Sequence, residues 1–132
     1  MRLARLPIAI MLALAASASS AEDIRPLFHG PLPQSATTRD MNVVRVDFAP
    51  GAIANPHRHG SAFVYAYVLS GAVESQLEGG QAKVYHAGEG WSEPPGAHHV
   101  LTRNASPTEA AALLVVFISE PGRPLKTDDL AH

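Results

Sequence analysis

Apolar and polar residues alternate along several short segments of the chain, and glycine and proline separate these segments. In residues 41–48 the side chains of Val44, Val46 and Phe48 would share one face of a strand. The same pattern predicts further strands at residues 63–69, 72–77, 82–86, 91–93, 98–102 and 110–118. Residues 114–118 are apolar without interruption, which predicts a strand buried on both faces.

Seven or eight short strands with regular turns predict an all-β domain, either a β-sandwich or a β-barrel. The alternation alone does not separate an immunoglobulin-like sandwich from a jelly-roll barrel. The chain has 132 residues, which is the length of one domain. We expect this all-β domain, whether barrel or sandwich, at residues 41–120 and a polar C-terminal tail at 121–132. Residues 22–40 contain three prolines and no clear periodicity, so we expect an extended N-terminal arm.

The N-terminus has the order of a secretory signal peptide. Arg2 and Arg5 precede an apolar run of 11 residues, Leu6 to Ala16, and small residues follow this run up to Ala21. We therefore expect residues 1–21 to be removed and the remainder to be periplasmic or secreted, without a stable membrane span. The alternatives are cleavage after Ala18, an uncleaved membrane anchor, and an ordinary apolar amphipathic segment.

Charge and cysteine content exclude several classes of function. The formal net charge is −2, so we expect no nucleic-acid partner. The chain has no cysteine, which excludes disulfides, thiolate nucleophiles and iron–sulfur clusters. Gly-rich phosphate loops and the nucleophile elbow of serine hydrolases are also missing from the sequence.

Three histidines carry the candidate chemistry. His57 and His59 are two residues apart, so on a strand both imidazoles would project from the same face. Imidazole binds zinc, copper, nickel and iron, and His99 opens a later predicted strand from which it could supply a third donor. The alternative is that the His57–His59 pair lies exposed in a loop.

Two segments resemble the sequence motifs of the cupin superfamily. Residues 51–71 have glycine at both ends and His57 and His59 between them, as in the first motif. Residues 88–99 resemble the second motif, in which a Pro-Pro-Gly turn precedes His99. The resemblance implies a single jelly-roll β-barrel that holds one divalent metal ion, which could be Fe, Mn, Ni, Cu or Zn. It also implies that His57, His59 and His99 are the metal ligands.

The first motif of the family carries a glutamate ligand where this chain has Val64. Glu93 directly precedes the Pro-Pro-Gly turn, and we consider it as a ligand, a partner of a ligand or a catalytic base. Gln76 could face the barrel interior and position a substrate. His98 neighbours His99 and should therefore face the opposite side of its strand. We expect Arg58, between the two inward histidines, to face solvent.

The resemblance implies several functions, because cupins include both enzymes and non-enzymatic binders. Our main hypothesis is an exported metal-binding protein that acts on a small anionic or phenolic molecule, as a dioxygenase-like oxidoreductase. The alternatives are a non-catalytic cupin that binds a small molecule or a metal, and a degenerate barrel without metal. We expect a homodimer, with Tyr65, Tyr67 or Trp91 as candidates for packing, for the cavity or for the dimer interface.

Overall fold

The computed structural model describes residues 22–31 and 38–130. The predicted signal peptide at 1–21 lies outside these residues. The strands are β1 (Glu22–Pro31), β2 (Asp40–Phe48), β3 (Ile53–Ala54), β4 (His57–Arg58), β5 (Phe63–Ser70), β6 (Ala72–Leu77), β7 (Lys83–His86), β8 (Gly90–Glu93), β9 (His98–Asn104), β10 (Ala111–Ser119) and β11 (Thr127–Asp128). In the described part of the chain we find no helix, and hence none that could cross a membrane.

The strands form two antiparallel sheets. The first has the order β1-β2-β10-β5-β8, and the second has the order β11-β4-β9-β6-β7 with β3 also paired to β9. Neighbouring strands in each sheet are mostly distant in sequence, as expected when a chain winds into a jelly roll rather than a simple meander. The predicted all-β architecture is confirmed, and most strand bounds agree with the sequence pattern to within two residues.

Alternation along the strands places the core between the two sheets. On β5 the side chains of Val64, Ala66 and Val68 are buried, whereas Phe63 and Tyr65 on the opposite face are exposed. Strands β2 and β10 contribute inward residues by the same rule, and together they form one apolar cluster. This cluster forms the apolar walls around the site described below.

Strand β10 is buried on one face only, so the expectation that both of its faces are buried is wrong. Val115 and Phe117 are buried, but Leu114, Val116 and Ile118 on the other face are only partly covered. The outward residues of β10 lie in register with exposed aromatic residues of β5. Among residues 22–31 and 38–130, therefore, nothing fully covers this apolar sheet face.

Segments at both ends of the chain are better ordered than their sequences predict. Residues of the predicted N-terminal arm pair with β2 and form the edge strand β1. In the predicted C-terminal tail, Thr127 and Asp128 form the two-residue strand β11 against β4. The pairing partner of β11 lies far away along the chain, so local periodicity carries no signal for it. Strand β1 pairs with the next strand, β2, and contains prolines that interrupt its pattern.

Two turns set the position of the strands around the site. Gly71 joins β5 to β6 with a φ of 70°, and a Cβ there would lie 2.6 Å from the carbonyl oxygen of Ala110. In the Pro-Pro-Gly turn, the amide of Gly96 donates a hydrogen bond of 2.8 Å to the carbonyl of Gly60. This bond ties the start of β9 to the loop that follows His59.

Candidate metal centre

The three histidines predicted from the sequence meet inside the barrel. His57 on β4 is the register partner of His99 on β9, and His59 follows β4 directly. One nitrogen from each imidazole lies within 4.8 Å of the corresponding nitrogens of the other two. His57 and His99 are 4% and 2% exposed, so these donors are withdrawn from bulk water.

Backbone carbonyls select the tautomers of His57 and His59. The Nδ1 atom of His57 lies 2.7 Å from the carbonyl oxygen of Asn55, and Nδ1 of His59 lies 2.6 Å from that of Leu125. A carbonyl can only accept a hydrogen bond, so both Nδ1 atoms carry the proton. The lone pair of each neutral ring is then on Nε2, and both histidines are prepared as metal ligands before any ion binds.

Two hydroxyl groups contact the Nε2 atom of the His99 ring. This atom lies 2.8 Å from Ser75 Oγ and 2.8 Å from Thr102 Oγ1. When Nε2–H donates to one of these hydroxyls, the lone pair is on Nδ1. That Nδ1 atom is buried and has no hydrogen-bond partner among the described residues.

Glu93 places a carboxylate beside these rings. Its Oε1 atom lies 3.1 Å from Nδ1 of His99, and its Oε2 atom lies 3.5 Å from Nε2 of His59. The indole of Trp91 donates a hydrogen bond of 3.0 Å to Oε1. Glu93 is 2% exposed, and its Oε2 atom has no hydrogen-bond partner in the described part of the chain.

The donors open into a cavity of about 80 Å³. That is room for several water molecules or a small organic acid. Apolar side chains of β2, β5 and β10 form most of its wall, among them Val64 at the position where the family's first motif carries glutamate. Of the described residues that line the cavity, Lys126 is the only lysine or arginine. Its ammonium group contacts Glu22 Oε1 at 2.8 Å and Asp128 Oδ1 at 3.0 Å.

Burial governs the ionisation of the histidine donors. It lowers the pKa of His57 to about 4, although the hydrogen bond to the Asn55 carbonyl acts in the opposite direction. Burial also lowers the pKa of His59, and the carbonyl of Leu125 and the charge of Glu93 only partly offset it. Both rings are therefore neutral near pH 7, which is the form that binds a metal.

Two of the charged residues that line the cavity, Glu93 and Lys126, keep their charges. Burial alone would raise the pKa of Glu93, but a hydrogen bond from His99, in the tautomer that carries its proton on Nδ1, and the hydrogen bond from the indole of Trp91 outweigh burial and lower that pKa. Burial would likewise lower the pKa of Lys126, but Glu22 and Asp128 raise it overall. A carboxylate and an ammonium group therefore both border the cavity at neutral pH.

Other residues singled out in the sequence lie elsewhere. Gln76 does not face the barrel interior, which was the possibility raised from the sequence. Its amide donates a hydrogen bond of 2.9 Å to the carbonyl of Gly80 within the β6–β7 hairpin. It does not line the cavity, because on β6 the buried face belongs to Val73 and Ser75. His98 points away from His99 and contacts Asp129, and Arg58 is exposed, as expected for both.

Several residues around the site were not predicted from the sequence. Ser75 shares a strand face with the apolar Val73, which is a signal that could have placed it inside. Leu125 and Lys126 reach the site from beyond the predicted barrel, 66 residues or more after His59. Contacts across such a separation follow from the fold and not from any local pattern.

The residues present fit a divalent metal ion. A neutral His99 with its lone pair on Nδ1 would face the Glu93 carboxylate 3.1 Å away, and the two would repel each other. A cation between them removes this repulsion and provides a partner for both unpartnered atoms, Nδ1 of His99 and Oε2 of Glu93. Imidazole nitrogens with one carboxylate suit first-row transition metals and zinc.

Comparison with known proteins agrees with this architecture. The sequence model of a family described as "Cupin domain" matches residues 44–117, which is more than half of the chain. The chain belongs to the cupin family. A curated cupin relative, germin-like protein 5-1 of Oryza sativa subsp. japonica, is 37% identical over 103 residues, covering 70% of this chain and 43% of the relative.

Solved structures extend the comparison. Recombinant oxalate oxidase in complex with glycolate has 32% sequence identity and a TM-score of 0.56, over 62% of this cupin and 44% of the oxidase. The TT1209 protein of Thermus thermophilus has 27% identity and a TM-score of 0.61, over 88% of this chain and 100% of that one. This cupin therefore spans less than half the length of the germin-like protein and of the oxalate oxidase that it matches.

Proposed function

We propose that this cupin is a metal-dependent oxidoreductase that oxidises a small carboxylate with molecular oxygen. The observation that carries the proposal is the convergence of His57, His59 and His99 on one buried cavity, with their rings held by carbonyls and hydroxyls. A bound metal would supply a Lewis acid and a binding position for oxygen. The similarity to an oxalate oxidase crystallised with glycolate supports this class of reaction.

We propose that the substrate is a small anion that pairs with Lys126. Lys126 provides the ammonium group that borders it, and Glu22 from the edge strand β1 currently pairs with that group. We propose that the carboxylate of the substrate takes the place of Glu22 on Lys126. The apolar wall then excludes water and strengthens the electrostatic contacts inside.

Measurements on the purified protein test this function. We expect about one Fe, Mn, Ni, Cu or Zn ion per chain by elemental analysis, and oxygen uptake with glycolate or oxalate that stops after chelation. Labelled ¹⁸O₂ distinguishes a dioxygenase from an oxidase. Metal and substrate binding without turnover would contradict the oxidoreductase and favour a non-catalytic binder, whereas a protein that binds no metal would be a degenerate barrel.

Lys126→Met tests the substrate class. The variant removes the positive charge and keeps the length of the side chain, so KM for glycolate should rise by at least about tenfold, which corresponds to about 1.4 kcal/mol. Lys83→Met, on the exposed strand β7, is the matched control and should leave KM unchanged. An unchanged KM in Lys126→Met would remove Lys126 from the substrate site.

We also propose that two protomers pair through the open sheet face. This outer apolar face consists of Phe63, Tyr65, Tyr67, Leu69, Leu114, Val116 and Ile118. The four residues from β5 are 37–43% exposed, although all are apolar or aromatic. Monomeric proteins seldom leave a contiguous patch of this kind in water. Because a twofold axis through the face would bury the same residues on both copies, we propose a homodimer.

The N-terminal sequence supports export of the protein. The positive start, the short apolar run and the small residues before Glu22 are the supporting features. We propose that the protein acts in the periplasm or outside the cell.

A further inference from the structure

Glu93 and Val64 occupy neighbouring positions on adjacent strands. They are register partners in the antiparallel pair β5–β8, and they are 2% and 1% exposed. Both line the cavity that contains the three histidines. The carboxylate of β8 therefore enters the same space that the side chain of Val64 borders from β5.

The carboxylate oxygens have the spacing of metal ligands relative to two of the histidines. Oε1 lies 3.1 Å from Nδ1 of His99, and Oε2 lies 3.5 Å from Nε2 of His59. Two donors bound at about 2.1 Å to one ion, with about 90–110° between them, are separated by about 3.0–3.4 Å. The distance from Oε1 to Nδ1 of His99 falls within this range, and the distance from Oε2 to Nε2 of His59 exceeds it by about 0.1 Å, so a single ion can bind both histidines and Glu93 with little movement.

The contacts of Glu93 leave one oxygen free for this purpose. The indole of Trp91, two residues earlier on β8, donates to Oε1. Oε2 is buried and has no hydrogen-bond partner among the residues that the structure describes. One oxygen is thus held in place while the other remains available, as is common for a carboxylate ligand supported by a neighbouring donor.

We propose that Glu93 is the fourth protein ligand of the metal centre. This inference rests on the proposed metal binding, and it assigns the acidic ligand to β8 rather than to the Val64 position on β5. The bound site then has three neutral imidazoles and one carboxylate, so the charge of a divalent ion is reduced from +2 to +1. The competing explanation is that Glu93 only accepts hydrogen bonds, from Nδ1 of His99 and from the indole of Trp91.

Metal titration separates the two explanations. The metal-depleted protein is titrated with Co²⁺ and with Zn²⁺, and the Co²⁺ visible absorption reports the number and type of ligands. Glu93→Gln keeps the size of the side chain and an acceptor for Trp91, and it should weaken metal affinity by at least about tenfold and change the Co²⁺ spectrum. Glu78→Gln is the matched control, because Glu78 is an exposed residue in the β6–β7 hairpin.

A second variant, in which the residues at positions 64 and 93 are exchanged, tests the inference without relying on Glu93→Gln alone. The double variant Val64→Glu/Glu93→Val moves the carboxylate to the register partner on β5, and it should recover affinity to within a few-fold of the original protein. If Glu93→Gln does not fold, this exchange variant alone decides: recovered affinity supports the inference, and affinity lower by tenfold or more overturns it.

The outcome also distinguishes this inference from the proposed function. If the original protein binds one metal ion and Glu93→Gln binds it equally tightly with an unchanged Co²⁺ spectrum, Glu93 is not a ligand and the metal centre stands. If the original protein binds neither ion, the proposed metal function itself fails.

Discussion

His57 and His99 are register partners on β4 and β9, and their ring centroids lie 4.9 Å apart. The pair brings together two segments that are 42 residues apart in the sequence. Adjacent antiparallel strands fix such partners at a defined distance, so the backbone pairing itself holds the two donors in place. The sheet itself therefore holds two of the three histidine donors, and His59 follows directly after β4.

Loss of either partner should abolish tight metal binding. His57→Ala and His99→Ala each remove one donor, and we expect metal affinity to fall by more than about a hundredfold. The metal-free variants should still fold, because the apolar cluster does not include the metal. Elemental analysis and thermal melting check both statements.

His98→Ala is the matched control for this prediction. His98 is adjacent to His99 but contacts Asp129 on the outer side, so its loss should leave metal content unchanged. Full metal occupancy in His99→Ala would show that the third ligand is wrongly assigned.

The pKa of His57 predicts how stability depends on pH. An imidazole with the ordinary pKa of about 6.5 would release metal near pH 6, but burial lowers the pKa of His57 to about 4. The unfolded chain therefore binds more protons than the folded chain between these values. The stability contribution of His57 is complete above about pH 6.5 and decreases by about 3 kcal/mol as the pH falls to about 4.

Urea denaturation of the metal-free protein at pH 7, 5.5 and 4 measures this effect. His57→Gln lacks the titrating ring and should lose less stability over the same range. Equal losses of stability in His57→Gln and in the original protein would contradict the low pKa of His57.

A second carboxylate beside Glu93 should destabilise the metal-free barrel. Val64 is 1% exposed and is the register partner of Glu93, so Val64→Glu places two acidic groups together in the cavity. We expect a loss of about 3 kcal/mol without metal, part of which returns when metal binds. Val64→Gln lacks the charge and should lose less.

Thermal melting with and without chelator measures the difference between these variants. Val73→Glu is a useful control, since Val73 is fully buried but does not line the cavity. It should be destabilised to the same extent with and without metal. If Val64→Glu behaved in the same way, the carboxylate at position 64 would not reach the ion.

The outer apolar face should control the oligomeric state. Val116 lies within this face, in register with Tyr65, and Val116→Arg would bury two charges across a twofold interface. We expect the dissociation constant of the dimer to rise by about a hundredfold or more, or roughly 3 kcal/mol. Sedimentation velocity over a range of concentrations measures it.

Val84→Arg is the matched control, because Val84 is an exposed valine of the second sheet. This variant should keep the oligomeric state of the original protein. A monomeric original protein at high concentration would contradict the proposed homodimer.

Intact mass tests the predicted signal peptide. The exported protein should begin at Glu22 and lack residues 1–21, and Ala21→Leu should leave the precursor uncleaved because small residues are required there. Cleavage after Ala18 would support export with a different site. Retention of Met1 in the original protein would contradict cleavage.

Local patterns predicted the strands and the three histidines because both depend on short spacings. The distance of two residues between His57 and His59 determines their shared face, whichever strands surround them. The direction of Gln76 was wrong because both faces of β6 carry polar residues, and only the apolar Val73 marks the inner one. Leu125 and Lys126 were missed because pairing of β11 with β4 brings them to the site across the chain.

The carbonyl of Leu125 fixes the ring of His59, yet Leu125 lies eight positions beyond the last residue that the family sequence model matches. A fragment cut at residue 117 would keep all three histidines and lose the group that orients one of them. Lys126, on the cavity wall, would be lost with it. The complete candidate metal site is therefore longer than the region that defines the family, and relatives that share the motifs but differ in this C-terminal segment lack one of its orienting groups.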